Sequence, residues 1–124
     1  MKRFIFYVFL TDKLNFDSSP IGGIYRSGLP SLEIYCNFTY DEQINGTISA
    51  KWKINGLYVN NTQVGIELNQ SGGFGSSVLF FENLTQAGTS KIECEISFLA
   101  GSPKKEFLAT KTGFVNIVGM YIII

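Results

Sequence analysis

Histidine is absent from this chain of 124 residues. It is the usual general acid or base near neutral pH and the commonest zinc ligand, so its absence excludes serine–histidine and cysteine–histidine nucleophiles and histidine-bound zinc. The ten acidic residues are scattered over loops and alternating segments, and no spacing places two of them in one predicted cleft. We therefore expect no enzyme activity, no metal site and no cofactor.

Net charge is also absent, because ten basic residues balance ten acidic ones. The basic clusters are two short pairs, Lys2-Arg3 and Lys104-Lys105. A neutral surface offers no general attraction to nucleic acid or to an anionic membrane. Nucleic acid is therefore not an expected partner.

Long helical patterns are missing as well, since no stretch of a dozen residues combines a 3.6-residue apolar period with caps. The dominant period is two: "SLEIYCNFT", "ISAKWKI" and "KIECEISF" each alternate apolar and polar residues and predict half-buried strands. Shorter strands are predicted at "INGLYV" after an Asn-Gly turn, at "QVGIEL", and at "SVLFFENL" with Leu79, Phe81 and Leu84 inward, whereas "NQSGGFGSS" is interpreted as a connection. A chain of this length fits one domain, and the pattern predicts an all-β antiparallel sandwich or barrel.

Cysteine is scarce, with two residues in the chain. Cys36 and Cys94 both lie on the inward side of their predicted strands, and the single tryptophan, Trp52, lies between them and also inward. A bridge closing so long a loop could stabilise the fold by about 4 kcal/mol on the chain-entropy model. These residues alone leave open a second interpretation, two buried free thiols in a reducing compartment.

The order of cysteine, tryptophan, the segment "LFFENL" and a second cysteine resembles that of immunoglobulin-like domains. The resemblance covers about residues 21–115. It implies a two-sheet antiparallel sandwich with a Cys36–Cys94 disulfide and Trp52 packed on it. The run "QAGTSKIEC" departs from the family's Asp-x-Gly-x-Tyr-x-Cys, with Ile92 in place of the corner tyrosine. The subset of the family therefore stays open, and no tyrosine-corner hydrogen bond is expected.

The resemblance also makes the strands of Trp52 and Cys94 antiparallel neighbours. Lys51 and Lys53 would then share a solvent face with Glu93 and Glu95. Opposite charges on adjacent strands contribute about 0.2–1 kcal/mol each, so we interpret them mainly as an indication of register.

Acceptor triplets for N-linked glycans are more frequent than composition predicts. Asn-x-Ser/Thr begins at Asn37, Asn45, Asn60, Asn69 and Asn83, whereas chance would supply about 1.4 such triplets. All five are predicted to lie at turns, at strand ends or on outward faces, where a glycan could extend into water. Surface asparagines without glycans are the alternative. A secretory route would also supply the oxidising compartment that a cysteine bridge needs, so we expect an extracellular or cell-surface protein.

Both ends of the chain are apolar. Residues 1–20 contain a basic start and the run Phe4–Leu10, which resembles a signal peptide without an A-x-A-like cleavage site; an amino-terminal strand is the alternative. We expect "KEFLATKTGF" to form the last strand. Residues 116–124 are then an apolar tail, shorter than the about 20 residues of a membrane helix. They would be a continued strand or the start of a truncated membrane anchor, the one predicted link to a membrane.

Function in such a fold comes from its surfaces. The leading hypothesis is an extracellular recognition or adhesion module that binds a protein partner at a cell surface through a sheet face or the end loops. Candidate contacts are Tyr35, Tyr58, Lys104 and Lys105, the last two in the loop "LAGSPKK". Glycans at Asn37 and Asn83 would shield one sheet and direct contacts to the other. The alternatives are a glycosylated structural spacer, or a viral or parasite mimic of a host receptor domain.

Overall fold

The computed structural model describes residues 14–28, 31–41, 46–69, 72–81, 88–101 and 103–119. Leu84, the acceptors Asn45 and Asn83, and most of the two apolar ends lie outside the described residues. Nine strands are present in the described part: β1 (Leu14–Phe16), β2 (Gly22–Arg26), β3 (Leu32–Tyr40), β4 (Gly46–Ile54), β5 (Leu57–Tyr58), β6 (Val64–Asn69), β7 (Phe74–Phe81), β8 (Gly88–Ala100) and β9 (Lys105–Val118). A single 3₁₀ turn, Asn61–Gln63, precedes β6.

The strands form two sheets that pack face to face. The four-stranded sheet has the order β1-β3-β7-β6, and the five-stranded sheet has the order β2-β9-β8-β4-β5. Burial alternates along β3, β7 and β8 with a period of two, as the sequence predicted. Each of these strands therefore gives one face to the core and one to solvent. The predicted all-β sandwich is confirmed.

The core lies between the sheets and is continuous. Its most deeply buried large side chains are Trp52, Phe38, Phe98, Leu79, Ile92, Ile96 and Val115. Burying one such side chain stabilises the fold by about 1.5–3 kcal/mol before the entropy of ordering it is counted. Ile92 occupies the position at which many immunoglobulin-like domains have the corner tyrosine, and it is fully buried. This position therefore contributes apolar packing.

The β4–β5 hairpin turns at Asn55-Gly56, as predicted. Both residues have positive φ, 51° and 84°, which is the backbone of the two-residue turn that matches the twist of the flanking strands. The Asn55 side chain also accepts a hydrogen bond from the backbone N–H of Lys91 at 2.9 Å. The turn is thereby fastened to β8 beside it.

One strand pair differs from the predicted antiparallel arrangement. The chain leaves the four-stranded sheet after β1 and enters the other sheet as β2, which pairs in parallel with β9. The backbones cross closely there: a Cβ at Gly22 would collide with the carbonyl of Phe114, and one at Gly113 would collide with the carbonyl of Ile21. Gly22 also has φ of 86°, which favours glycine. Alternation along a strand does not reveal such a crossing.

An ion pair ties this crossing to β9. Lys111 Nζ lies 2.9 Å from Asp17 Oδ1 and donates to the Asp17 carbonyl at 2.8 Å. The hydrogen bond from Lys111 holds the pKa of Asp17 below its usual value. The pair therefore links the segment after β1 to the opposite sheet.

The sandwich extends past both ends of the predicted 21–115 range. β1 begins at Leu14, and β9 continues to Val118 with Ile117 in the core. The last strand is thus longer than "KEFLATKTGF", because its continuation pairs with β2. β7 likewise begins at Phe74, inside the stretch expected to be a connection. Within the described ranges, the structure contains no helix of the length and apolarity needed to cross a membrane.

Candidate functional site

Cys36 and Cys94 meet at the centre of the sandwich. Both side chains are fully buried, and they approach each other to 2.5 Å. Burial raises the pKa of the Cys94 thiol, so this group is a poor nucleophile. The two residues are placed for the predicted bridge between β3 and β8, and the bridge itself stays a prediction.

Trp52 packs beside this pair and carries a buried hydrogen-bond chain. Trp52 is opposite Cys94 across β4 and β8, and Ser77 is opposite Cys36 across β3 and β7. The indole N–H donates to Ser77 Oγ at 2.8 Å, and that hydroxyl donates to the Gly65 carbonyl at 3.0 Å. The chain satisfies the indole in a dry environment. Ser77 was missed in the sequence, although it shares the inward parity of Leu79.

The outer face of the five-stranded sheet holds an ordered group of side chains, which we call the tyrosine–lysine cluster: Lys51, Lys53, Tyr58 and Glu95. Glu95 accepts a hydrogen bond from the Tyr58 hydroxyl at 3.0 Å and pairs with Lys53 Nζ at 3.3 Å. The ammonium groups of Lys53 and Lys51 lie 4.8 and 5.6 Å from the centre of the Tyr58 ring. The hydrogen bond to Glu95 raises the pKa of Lys53. One carboxylate thus orients both a tyrosine and a lysine.

The two strands beneath this cluster are antiparallel neighbours, and the lysines of one share an outer face with the glutamates of the other, as predicted. Lys51 is opposite Glu95, and Lys53 is opposite Glu93. The ion pair that forms is the diagonal one, between Lys53 and Glu95. The predicted antiparallel pairing of these two strands is confirmed.

An apolar side chain on β9, Leu108, flanks the cluster, and Leu99 lies farther along β8 on the same face. Leu108 is 59% exposed and Leu99 is 37% exposed. Leu108, Tyr58 and Glu106 line a shallow depression of about 240 Å³, which is smaller than the usual small-molecule pocket of roughly 300–1,000 Å³. Leu108 was missed in the sequence, because its neighbour Phe107 could equally have been the outward residue of that strand. This face combines exposed apolar, aromatic and charged side chains.

The outer face of the four-stranded sheet has a different composition. Two rows of side chains cross β3, β7 and β6, and together they form what we call the acceptor groove: Asn37, Ser76 and Glu67 in one row, and Thr39, Phe74 and Asn69 in the other. The groove has a volume of about 500 Å³. Phe74 is 57% exposed in it. Two predicted glycan acceptors, Asn37 and Asn69, line the same groove.

The other predicted contact residues are not brought together. Tyr35 lies on the four-stranded face, 53% exposed, and its hydroxyl donates to Glu33 at 2.6 Å. Tyr58 lies on the five-stranded face, and Lys104 and Lys105 lie at the β8–β9 turn, at the far end of that sheet from the β4–β5 hairpin. Tyr35 therefore shares a face with the acceptor Asn37, and the four residues do not form one surface.

The third acceptor that the structure describes, Asn60, lies just before the 3₁₀ turn. Its side chain accepts a hydrogen bond from the backbone N–H of Thr62 at 3.3 Å and caps that turn. Asn37, Asn60 and Asn69 are all exposed, which is compatible with an attached glycan. Glycan occupancy stays a prediction at every acceptor.

Strand order and core chemistry together identify the fold. One sheet has the order of strands A, B, E and D, and the other contains C, F and G with two added edge strands. Cysteines lie on the B and F strands, with a buried tryptophan on the C strand. The fold is immunoglobulin-like. Sequence and structure agree on this point.

No family model matches the chain, and no curated protein matches its sequence. Among solved structures, the chain is similar to the tandem immunoglobulin repeats of Dlar, with 17% identity and a TM-score of 0.45 over 86% of this chain and 47% of that one. It therefore spans about half of that neighbour. It is also similar to the CooA pilin subunit from enterotoxigenic Escherichia coli, with 7% identity and a TM-score of 0.40 over 86% of this chain and 99% of that one.

The immunoglobulin-like scaffold thus presents two outer faces of different chemistry. In the part of the chain that the structure describes, no cluster of three or more metal-ligating side chains is present. On each face, hydrogen bonds between strands hold polar side chains in order: Tyr58 with Glu95 on one face, and Ser76 with Asn37 on the other.

Proposed function

We propose that this chain is an extracellular immunoglobulin-like recognition module that binds a protein partner through the outer face of the five-stranded sheet. The observation that carries this proposal is the tyrosine–lysine cluster beside Leu108. Protein interfaces favour aromatic residues at their centre and polar groups at the rim. The five-stranded face has both within one patch.

The order within the cluster favours binding. The side chains of Glu95 and Lys53 are only 13% and 26% exposed, whereas Tyr58 is 57% exposed. The partly buried pair therefore holds a tyrosine whose ring remains available to a partner. A side chain that is fixed before association loses less entropy when it binds.

The distribution of acceptors supports the same face. Asn37 and Asn69 lie on the four-stranded face, and no acceptor triplet starts at an outward position of the described five-stranded face. Glycans at Asn37 and Asn69 would therefore leave the tyrosine–lysine cluster uncovered. A spacer would gain nothing from such an asymmetry, so we favour recognition over a purely structural role.

A new glycan on the five-stranded face tests the proposal. Leu108→Asn creates an Asn-Ala-Thr acceptor over residues 108–110, and Leu108→Gln is its matched control without an acceptor. We expect the secreted wild-type chain to bind a subset of cultured cells. We expect glycosylated Leu108→Asn to lose at least tenfold in affinity, because a glycan would stand over the cluster, while Leu108→Gln stays within about threefold.

Two results would contradict the proposal. Glycosylated Leu108→Asn that binds as well as wild type would exclude this face as the contact surface. A wild-type chain that binds none of a broad panel of cells would favour the spacer role instead. Flow cytometry with the labelled chain supplies both measurements.

A further inference from the structure

We infer that the first N-acetylglucosamine of a glycan on Asn37 packs in the acceptor groove against the ring of Phe74. The inference rests on the secretory location in the proposed function. It goes further by giving the glycan a fixed position and a structural effect. The groove holds the exposed ring of Phe74 together with two glycan acceptors, Asn37 and Asn69.

The register places acceptor and ring at the right separation. Asn37 is opposite Ser76, and Phe74 is two residues before Ser76 on the same face. Such diagonal neighbours lie roughly 7–8 Å apart, and their Cβ atoms are somewhat closer. A pyranose ring linked to Asn37 Nδ2 bridges that gap. Thr39, the third residue of the triplet, lies directly opposite Phe74.

The Asn37 side chain is already oriented toward this role. Its Oδ1 accepts a hydrogen bond from Ser76 Oγ at 2.7 Å, and its Nδ2 donates to Asp17 Oδ2 at 3.4 Å. Because a carboxylate can only accept, these partners distinguish the amide nitrogen from the oxygen. A glycosylated Nδ2 keeps one N–H, so the contact with Asp17 can persist. The amide plane, and with it the direction of the sugar, is thereby restricted.

The groove itself suits a sugar. Its volume of about 500 Å³ falls within the roughly 300–1,000 Å³ of small-molecule sites. Phe74 is 57% exposed, and the C–H face of a pyranose can cover such apolar surface. Glu67, in the same row as Asn37, offers a carboxylate that can accept from sugar hydroxyls.

The attachment step uses the lipid-linked oligosaccharide of the secretory pathway as its donor. The bond between the anomeric carbon of the first sugar and the diphosphate oxygen breaks, and a bond from that carbon to Asn37 Nδ2 forms. The amide loses one proton, and the lipid diphosphate leaves. Transfer precedes folding, so the groove has to accommodate the sugar only in the folded chain.

A double-mutant comparison tests the contact. The chain is secreted from animal cells with a heterologous leader, and its glycans are trimmed to one N-acetylglucosamine per site. Thr39→Val removes the Asn37 acceptor while keeping the amide and a β-branched side chain. We expect it to lower the unfolding midpoint by about 4 °C in the wild-type background and by almost nothing in a Phe74→Ala background.

Two controls isolate the sugar. The same variants are also made without glycans. Their shifts in unfolding midpoint give the effect of the side-chain changes alone, and these shifts are subtracted from those of the glycosylated variants. Thr62→Val removes the Asn60 acceptor and leaves the backbone N–H that Asn60 caps, so we expect its effect on the midpoint to be independent of Phe74. Should Phe74→Ala fail to fold, nuclear Overhauser contacts between the sugar and the Phe74 ring in the wild-type chain decide the question.

The outcomes separate this inference from the proposed function. Equal losses with and without Phe74, or absence of sugar–ring contacts, would overturn the packing. Ser71→Ala removes the Asn69 acceptor. If the loss of stability that depends on Phe74 appears with this variant and not with Thr39→Val, the groove holds the Asn69 glycan and the inference is overturned. If Asn60 carries a glycan and Asn37 does not, this inference is wrong and the proposed function is unaffected. If no acceptor carries a glycan, the secretory location fails with it.

Discussion

The two outer faces of this sandwich are built by the same alternation and differ in what holds them in order. On the five-stranded face, long charged side chains from β4 and β8 meet a tyrosine from β5. Around the acceptor groove of the four-stranded face, short polar side chains surround the exposed ring of Phe74, and the groups that interact are amide, hydroxyl and carboxylate. One face presents an ordered patch, and the other presents a recess.

The contrast shows that side chains held in order on the surface need not add to the stability of the fold. A partly buried surface ion pair such as Lys53–Glu95 contributes little, about 0–1 kcal/mol for surface pairs, so its main effect is to restrict where Tyr58 points. The acceptor groove is ordered instead by the hydrogen bonds of Asn37, and it leaves Phe74 57% exposed. We interpret the first as prepared for a partner and the second as prepared for a covalent attachment.

The largest expected effect comes from the core that both faces share. Replacing Cys36 and Cys94 together with alanine should lower the free energy of unfolding by about 2–5 kcal/mol, because the bridge restricts the unfolded chain. Guanidinium unfolding of the secreted chain measures this loss. Both faces should disappear in one transition, since they rest on the same core.

Reductant is the control for this comparison. It should destabilise the wild-type chain and leave the double variant unchanged, because the latter has no bridge to break. A wild-type unfolding curve that does not respond to reductant, after unfolding exposes the sulfurs, would show that the pair consists of free thiols. The mass of the secreted chain before and after reduction gives an independent measurement.

A smaller effect separates the two tyrosines. Tyr58→Ala should weaken partner binding by about 10–30-fold, since buried tyrosine anchors are common interface hot spots. Tyr35→Ala, on the face that carries the acceptors, should change the affinity less than threefold. Surface plasmon resonance with the partner found by cell binding measures both. The reverse ranking would assign recognition to the four-stranded face.

The smallest effect concerns the ion pair that joins the sheets at their edge. Lys111 lowers the pKa of Asp17 from its ordinary value of 3.8. The ion pair therefore stabilises the fold at pH values above 3.8, and this stabilisation is lost as the pH falls through the lower pKa of the folded chain. Because the Asp17 side chain is 41% exposed, the effect should be small and weaker at high salt. Amide exchange in β1 should rise in acid in the wild type and not in Asp17→Asn.

Several elements were predictable from local pattern, and some were not. The strands around Cys36, Trp52 and Cys94 carry strict alternation, and the Asn55-Gly56 turn has its own backbone preference, so both were predicted correctly. Phe74 was assigned to a connection because its glycine and serine neighbours resemble a loop. Leu108 was missed because apolar residues occupy both parities of β9 at that point.

The amino-acid sequence by itself determined the alternation, the turn and the inward parity of both cysteines, because these depend on residues close together in the chain. Only the tertiary structure decided that β2 pairs in parallel with β9, since this needs two glycines distant in sequence, Gly22 and Gly113, where backbones cross. It also decided which face each tyrosine occupies. That assignment depends on which strands become neighbours, a choice made by packing across the core.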